Sequence, residues 1–413
     1  MMENDAVGID FGSFRTKIGI FRAGKYEVIL DEQGHPWDSY VTFEPTENFF
    51  GREALKRQGD SLASTIYAWK NLIGCSSEDL AAVLELSTKL FNKTPSSVST
   101  IEIACGGYSF SPDEITSMFF APIKERIDHL YPPANCSKND EAQISKTRRK
   151  CVITAPAFLT DAKRQVLKRC LEDAGFEVLH ILDEPTAAAI SYGFSNSSTS
   201  NSRTPKNILT LDLAIVLWAF SLPIENELIT RIWVMNEGEK LNIEEEWLVK
   251  KAALQALEER LSGTECTIKY PKAQIAYKLN RSQMENWWEI FLARLEDAIR
   301  ETLKDSGLSA ESVEEILLTG HFSKIINSFE ISERIFGRKG SMVSENNAVA
   351  QGASIFAAHL HSAENPKSYG RVHENPYVRE LEVDPAREPP EVTRPNSSLT
   401  FPTDPLIQAE TRF

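Results

Sequence analysis

The chain has 413 residues, of which 42% are hydrophobic and 25% are charged, and its formal net charge at pH 7 is −14. The length predicts two or more domains, and the composition is ordinary for a soluble globular protein. The negative charge argues against binding to anionic membranes or nonspecifically to nucleic acid, because both are polyanions. We therefore expect neither a membrane nor direct sequence-specific nucleic-acid binding.

The predicted location is the cytoplasm. The first residues contain neither a basic region nor an apolar run, so no signal peptide is expected. The longest apolar run, residues 213–222, is too short to cross a bilayer. The six cysteines are scattered, with no C-x-x-C pair and no histidines at zinc spacing. This pattern is typical of reduced cysteines in a cytosolic protein.

Residues 6–30 alternate tightly between apolar and polar side chains, which predicts three consecutive strands. The first turn runs from Asp10 to Arg15 and contains Gly12 between an acid and a hydroxyl residue. Such a turn can present backbone N–H groups to a phosphate while the acid faces a hydrated metal ion. A plain polar hairpin explains the same residues, so both interpretations stay open.

Residues 19–25 fit the first seven positions of the phosphate-binding motif G-x-x-x-x-G-K-[ST], but Tyr26 stands where the motif has serine or threonine. That motif also requires a strand, a loop and then a helix, whereas these residues are predicted to lie in a strand and a hairpin. A P-loop is therefore excluded at this position.

Lys70 stands among apolar neighbours in residues 65–73, where a lysine is usually a surface residue that extends its ammonium to solvent. Periodicity predicts helices over residues 78–92 and 113–130. Residues 133–150 are polar and end in a basic run, which indicates a solvated surface excursion more than an anion contact.

A strand over residues 177–182 ends in two carboxylates, Asp183 and Glu184, and Pro185 then favours the first turn of a helix that is expected to end at Gly193. A strand over residues 151–154 and a helix over residues 161–174 precede it, and this alternation predicts parallel pairing with a right-handed crossover. Open α/β folds place chemistry at such strand ends. An ordinary strand-to-helix junction is the alternative for the Glu-Pro pair alone.

Residues 195–206 are rich in serine and asparagine and are predicted to form a hinge. Residues 207–222 then repeat the layout of strand, aspartate and strand, with Asp212 as the aspartate, which suggests two similar halves around one cleft. Further helices are predicted over 242–261, 283–304 and 348–360, and a further strand over 313–318.

Five stretches of this chain resemble the ATPase domain of the 70-kilodalton heat-shock chaperones, which belong to the actin-like ATPase superfamily. They occur in family order over about residues 6–360, at positions 7–12, 69–74, 152–158, 183–193 and 348–353. The run Glu-Pro-Thr-Ala-Ala-Ala separates these chaperones from sugar kinases and actin. The rest of the chain matches the family pattern less well. In this it resembles the divergent ribosome-associated branch of the family, which works with a J-domain partner on nascent chains.

The resemblance implies an α/β actin-like ATPase fold, in which two lobes, each with a mixed sheet and flanking helices, surround a nucleotide cleft. The first lobe would span residues 1–198 and the second residues 207–363. Residues 364–413 are rich in proline and charge, and we expect a disordered polar tail without a substrate-binding domain.

The resemblance also implies ATP or ADP with Mg²⁺ as the cofactor. By this likeness Lys70 is the catalytic lysine and Glu184 positions a magnesium-bound water. Asp10 and Asp212 contact the metal through water. The resemblance implies further nucleotide contacts in both halves: Gly12, Ser13 and Phe14 in the first phosphate turn, and Gly320 and Lys324 in the last turn, where the backbone approaches adenine or phosphate.

Departures from the family pattern are concentrated in the second half. The family's second phosphate turn, Asp-Leu-Gly-Gly-Gly-Thr, is replaced by Asp212-Leu-Ala-Ile-Val-Leu, and Ala219 replaces a metal-facing acid. Ile215 and Val216 resist the positive φ that glycine permits, and their side chains crowd a phosphate. Each charge-assisted hydrogen bond that is lost is worth about 1.5–3 kcal/mol. Hydrolysis is expected to suffer most, because phosphoryl transfer depends on positioning and electrostatics.

The sequence thus predicts a cytosolic chaperone or cochaperone domain that assists protein folding with weak or absent ATP hydrolysis. The expected partner is a J-domain cochaperone, with the ribosome, nascent chains and a nucleotide-exchange factor as further candidates. A working ATPase is the rival interpretation, supported by Asp10, Lys70, Glu184 and Asp212 together. A sugar or metabolite kinase on the same fold is the third.

Overall fold

The structure, a computed structural model, describes the greater part of the chain up to residue 364. The described residues are 5–57, 64–75, 101–105, 107–133, 136, 140–157, 159–196, 207–212, 266–270, 275–279, 281–320, 328–343 and 347–364. The predicted helices over 78–92 and 242–261, most of the hinge and the tail beyond Glu364 lie outside them.

The strands, in chain order, are β1 (Val7–Phe11), β2 (Arg15–Arg22), β3 (Lys25–Ile29), β4 (Trp37–Asp38), β5 (Tyr40–Phe43), β6 (Asn48–Phe50), β7 (Thr65–Tyr67), β8 (Ile103–Cys105), β9 (Tyr108–Phe110), β10 (Arg149–Ala155), β11 (Phe176–Asp183), β12 (Ile208–Asp212), β13 (Cys266–Tyr270), β14 (Ile275–Leu279), β15 (Glu315–Thr319) and β16 (Ser341–Met342). The helices are α1 (Arg52–Arg57), α2 (Pro112–Leu130), α3 (Glu141–Lys146), α4 (Asp161–Asp173), α5 (Glu184–Asn196), α6 (Arg281–Ser306), α7 (Ser328–Phe336) and α8 (Ala348–Glu364), with 3₁₀ turns at Trp69–Leu72 and Ala310–Ser312.

The main sheet has six strands, with the order β11-β10-β1-β2-β3 and β4 paired to one end of β2. β11, β10 and β1 run parallel, whereas β1, β2 and β3 form an antiparallel meander. The parallel pair β10 and β11 is joined through α4, as the alternation of strand and helix predicts. Three smaller groups stand apart: the sheet β6-β5-β7 and the hairpins β8-β9 and β13-β14.

Apolar side chains cover both faces of the main sheet. Ile9, Phe11 and Ile18 belong to the core that includes the buried face of α2. Val152 and Leu182 belong to a second core with α5 and α8. Because successive strand residues point to opposite faces, Gly8 and Asp10 share the α5 and α8 side of β1.

α8 approaches this second face closely enough to require glycine. A Cβ on Gly8 would lie 2.1 Å from the backbone nitrogen of Ser354, and a Cβ on Gly352 would lie 1.8 Å from the carbonyl oxygen of Ala187. The last helix of the predicted second lobe therefore contacts the first sheet and α5. The lobe boundaries themselves stay a prediction.

A second parallel sheet has the order β12-β15-β16. α6 and α7 cover it through a core that includes Leu292, Ile316 and Ile331. Leu317, on the opposite face of β15, packs with Ala348 at the start of α8. The second sheet is thus joined to the first through the pair of helices α5 and α8.

Local pattern predicted many of the described elements, though not all of them. The three strands over residues 6–30, the helices over 161–174 and 283–304 and the strand over 313–318 are confirmed within a few residues. The predicted end of α5 at Gly193 is wrong, because the helix continues to Asn196. Phe194 packs edge-on against Phe21 at 5.0 Å, and this contact holds the last turn in place beyond the glycine.

The basic run at residues 146–150 is not wholly a solvated excursion, because β10 begins within it and Arg149 is 1% exposed. The Arg149 guanidinium donates to Asp128 Oδ1 through Nε (2.9 Å) and Nη2 (2.6 Å), and to the carbonyl oxygens of Tyr131 and Asp5. Lys124 Nζ donates to the other carboxylate oxygen of Asp128 at 2.6 Å. A buried charge keeps its ionised form only with such partners.

We expect Arg149→Lys to lower the free energy of unfolding by about 2 kcal/mol, because an ammonium cannot reproduce the planar fork that reaches the Asp128 carboxylate and two carbonyls together. The neighbouring Arg148 is exposed and supplies the control. Arg148→Lys is expected to change stability by less than about 0.5 kcal/mol. Urea denaturation of both variants measures the difference, and equal effects would contradict the role given to Arg149.

Candidate functional site

The turn between β1 and β2 is held from two sides. Ser39 Oγ donates to the carbonyl oxygen of Gly12 at 2.7 Å, and the backbone N–H of Ser39 donates to Phe14 O at 2.9 Å. The N–H of Ala68 donates to Ser13 O at 3.2 Å. A Cβ on Gly12 would lie 2.3 Å from the carbonyl oxygen of Arg15, so the turn has no room for a side chain there. The predicted phosphate turn is therefore fixed in shape.

Lys70 lies in the 3₁₀ turn that follows β7, and its side chain is only 9% exposed. Trp69 anchors this turn, because its buried indole N–H donates to Thr116 Oγ1 at 2.9 Å. Lys70 Nζ donates to Glu184 Oε1 at 2.6 Å and lies 5.7 Å from the centre of the Phe11 ring. The surface interpretation of this lysine is therefore wrong.

Glu184 lies where β11 passes into α5, and its side chain is also 9% exposed. Burial raises the pKa of the Glu184 carboxyl, the ammonium of Lys70 opposes that rise, and the negative charges of Asp10 and Asp183 add to it. The ion pair with Lys70 thus offsets part of the cost of burying the Glu184 carboxylate.

The neighbouring carboxylate, Asp183, is held by a different cation. The Arg164 guanidinium forms a buried ion pair with Asp183 Oδ1. It also donates to the carbonyl oxygens of Leu159 (2.9 Å) and Pro156 (3.1 Å) in the loop before α4. Arg164 therefore ties that loop to the end of β11, directly beside Glu184.

Asp10 faces a lysine from the next strand. Asp10 and Lys17 are opposite each other in the β1–β2 register, and Lys17 Nζ lies 3.7 Å from Asp10 Oδ2. The Lys17 ammonium thus already supplies one positive charge beside the carboxylate that the resemblance assigns to a magnesium-bound water. The role of Asp10 as a metal-shell acid stays a prediction by resemblance.

The site residues predicted in the second half are described only in part. Asp212 ends β12 opposite Thr319 of the parallel strand β15, and Gly320 follows with a φ of 86°. The carboxyl ends of neighbouring parallel strands meet at one sheet edge, so the backbones of Asp212 and Gly320 lie close together in space. The side chain of Asp212 and all of Lys324 lie outside the described residues.

The structure thus brings Lys70 and Glu184 into direct contact and places Asp10 near enough for its charge to act on Glu184. Sequence reasoning missed Lys17 and Arg164. Lys17 could have been predicted from the sequence, because a hairpin register that pairs Val7 with Ile20 also pairs Asp10 with Lys17. Arg164 gives no such signal, since one arginine on an amphipathic helix looks like any other.

Comparison with known proteins gives a consistent result. The model of the family described as Hsp70 protein matches residues 6–222 and 243–369. The heat shock 70 kDa protein 2 of Paracoccidioides lutzii is 25% identical over 406 residues, which are 89% of this chain and 59% of that protein.

Two further relatives show the same level of similarity. The heat shock 70 kDa protein of Ajellomyces capsulatus is 25% identical over 89% of this chain and 55% of its own length. The mitochondrial heat shock 70 kDa protein of Pisum sativum is 25% identical over 85% of this chain and 55% of its own length. The chain therefore spans between one half and two thirds of the length of these curated relatives.

Proposed function

The chain belongs to the Hsp70 family, with its actin-like ATPase fold, and from this premise we propose that it is a divergent nucleotide-binding domain with weak or absent ATP hydrolysis. Its ligand is ATP or ADP, which the family generally binds with Mg²⁺. We place it in the cytoplasm as a chaperone or cochaperone that assists protein folding.

The observation that supports nucleotide binding is the buried pair of Lys70 and Glu184 beside the β1–β2 turn. A lysine ammonium at a rigid glycine turn is suited to a terminal phosphate, which it attracts as a point charge. Glu184 Oε1 accepts a hydrogen bond from that ammonium at 2.6 Å and so fixes its position. Preorganised charges of this kind act strongly, because they need no reorganisation when the ligand arrives.

Weak hydrolysis is proposed from the sequence of the second half. Ile215, Val216 and Leu217 stand where the family has two glycines and a threonine, and these residues lie outside the described part of the chain. The phosphate contacts of the family's glycines and threonine are therefore lost. This loss weakens stabilisation of the transition state more than it weakens nucleotide binding by the first turn. The rival, a working ATPase, draws its support from Asp10, Lys70 and Glu184.

The proposed partner is a J-domain cochaperone, with the ribosome, nascent chains and a nucleotide-exchange factor as further proposed contacts.

Among the helices that the structure describes, none combines the length and the apolar character needed to cross a bilayer. Burial raises the pKa of the Cys105 and Cys170 thiols to about 12, which keeps them protonated and unreactive. Reduced, buried thiols support the proposed cytoplasmic location.

Calorimetric titration with ATP and with ADP tests the proposal. We expect wild-type dissociation constants in the micromolar range. In Gly12→Val the dissociation constant is expected to rise at least about tenfold, because a side chain at this position collides with the carbonyl of Arg15. Gly34→Asn is the control, since Gly34 is exposed, has a φ of 80° and has open space around it.

The outcomes separate the alternatives. No heat at millimolar nucleotide, with or without Mg²⁺, would rule out nucleotide binding. Single-turnover hydrolysis that depends on Lys70 would favour the working ATPase. Phosphate transfer to a member of a small-molecule panel would favour a kinase.

A further inference from the structure

The described carboxylates at the carboxyl-terminal edge of the main sheet each face a cation from the same chain. Glu184 pairs with Lys70 at 2.6 Å, Asp183 pairs with Arg164, and Asp10 faces Lys17 at 3.7 Å. The first two pairs belong to the machinery already described. The third is not explained by the nucleotide site as the resemblance predicts it, because Asp10 is expected there to face a metal ion.

The position of Lys17 is set by the sheet. β1 and β2 are antiparallel neighbours, and the register that pairs Gly8 with Gly19 also pairs Asp10 with Lys17. Directly opposite residues on adjacent strands project to the same face, with Cβ atoms about 4.5–5.5 Å apart. Lys17 therefore faces Asp10 through backbone pairing, and a change of side-chain rotamer leaves its Cβ in place.

The exposure of the two side chains shows a partly enclosed pair. The side chain of Asp10 is 14% exposed and that of Lys17 is 21% exposed. Salt screens a pair of this kind less than it screens a surface pair. Lys17 still keeps partial access to solvent, which a ligand phosphate could replace.

A hydrated Mg²⁺ held by Asp10 Oδ2 would lie at nearly the same distance from that oxygen as the Lys17 ammonium does. Magnesium binds water at about 2.1 Å, and such a water lies about 2.8 Å from a carboxylate oxygen that accepts its hydrogen bond, so the ion lies about 4 Å from that oxygen. Lys17 Nζ already lies at 3.7 Å from Asp10 Oδ2. Both cations in this shell would repel each other at short range.

We infer that Lys17 is the resident cation of Asp10 and that this site binds the phosphates of a nucleoside di- or triphosphate without a divalent ion at Asp10. The inference rests on the proposed function, since it concerns the same nucleotide site. The Lys17 ammonium neutralises Asp10 and presents its remaining donors to the phosphate oxygens, together with Lys70.

The test is calorimetric titration of the full chain with ATP, once in excess EDTA and once in excess Mg²⁺ at matched ionic strength. The wild-type dissociation constant in EDTA is expected to stay within about threefold of the value in Mg²⁺. Lys17→Met is expected to raise the constant in EDTA at least about tenfold and to recover part of the affinity when Mg²⁺ is present. Lys17→Arg retains the cation and is expected to behave as the wild type does.

Lys25→Met is the matched control, because Lys25 is exposed at the far end of the β2–β3 hairpin. A wild-type affinity that falls tenfold or more in EDTA overturns the inference and leaves nucleotide binding intact. An equal change of the ATP dissociation constant in EDTA for Lys17→Met and Lys25→Met also overturns the inference. Absence of binding in both conditions overturns the proposed function and the inference together.

Discussion

Lys70→Ala is expected to lower the free energy of unfolding by about 3–5 kcal/mol at pH 7, because it leaves the Glu184 carboxylate buried without its cation. Removal of one partner from a buried pair costs more than the pair contributes, since the remaining charge keeps its desolvation penalty. Chemical denaturation measures the change. Lys56→Ala is the control, because its pair with Glu53 is about half exposed, and a change below about 1 kcal/mol is expected there.

The loss is expected to depend on pH with a defined sign. The folded-state pKa of Glu184 lies above its ordinary value of 4.5, with burial as the largest cause. A carboxyl with a raised folded-state pKa contributes stability below its unfolded value and loses that contribution as pH rises through the folded value. Lys70→Ala removes the charge that opposes this rise, so its stability deficit is expected to be smallest at acid pH, where the Glu184 carboxyl is protonated, and to grow as pH rises.

The double variant separates the electrostatic cause from lost packing. In Lys70→Ala/Glu184→Gln the buried charge is gone, so most of the stability is expected to return and the added dependence on pH to disappear. A deficit of 3 kcal/mol or more that persists in the double variant would contradict the explanation. The same variant matters for activity assays, because loss of hydrolysis in Lys70→Ala alone could come from a weakened fold as well as from loss of the proposed catalytic lysine.

Local pattern was sufficient for elements whose identity depends on nearby residues. The alternation in residues 6–30 predicts β1, β2 and β3, and the amphipathic period of residues 161–174 predicts α4. The basic run at residues 146–150 predicts a solvated loop, and the burial of Arg149 makes that prediction wrong in part. Burial of Arg149 depends on Asp128, a partner 21 residues away in another element, which no local pattern reports.

Some residues of the candidate site can likewise be predicted from local sequence, whereas others are brought together only by the fold. Asp10 and Gly12 are visible as a turn, and their pairing with Lys17 follows from one hairpin register. The contact of Lys70 with Glu184 joins residues 114 positions apart, so only the family resemblance brings them together before the structure does. For Asp212, Gly320 and Lys324 the sequence still carries most of the argument.

Gly352→Val is expected to lower the free energy of unfolding by at least about 4 kcal/mol or to prevent folding. A Cβ at this position would lie 1.8 Å from the carbonyl oxygen of Ala187 and 2.5 Å from its carbonyl carbon, and both are backbone atoms that no change of rotamer can move. The helices α5 and α8 would have to separate. Because Ala187 is one helical turn beyond Glu184, their separation also disturbs the pair with Lys70.

Ala162→Val is the matched control, because it places the same side chain at an exposed position of α4, where only helix propensity changes. It is expected to cost less than about 1 kcal/mol. Thermal and urea unfolding of both variants give the comparison, and Gly352→Ala extends it, since alanine already carries the colliding Cβ. If Gly352→Val unfolds at the wild-type urea concentration, α5 and α8 do not pack as closely as the structure shows.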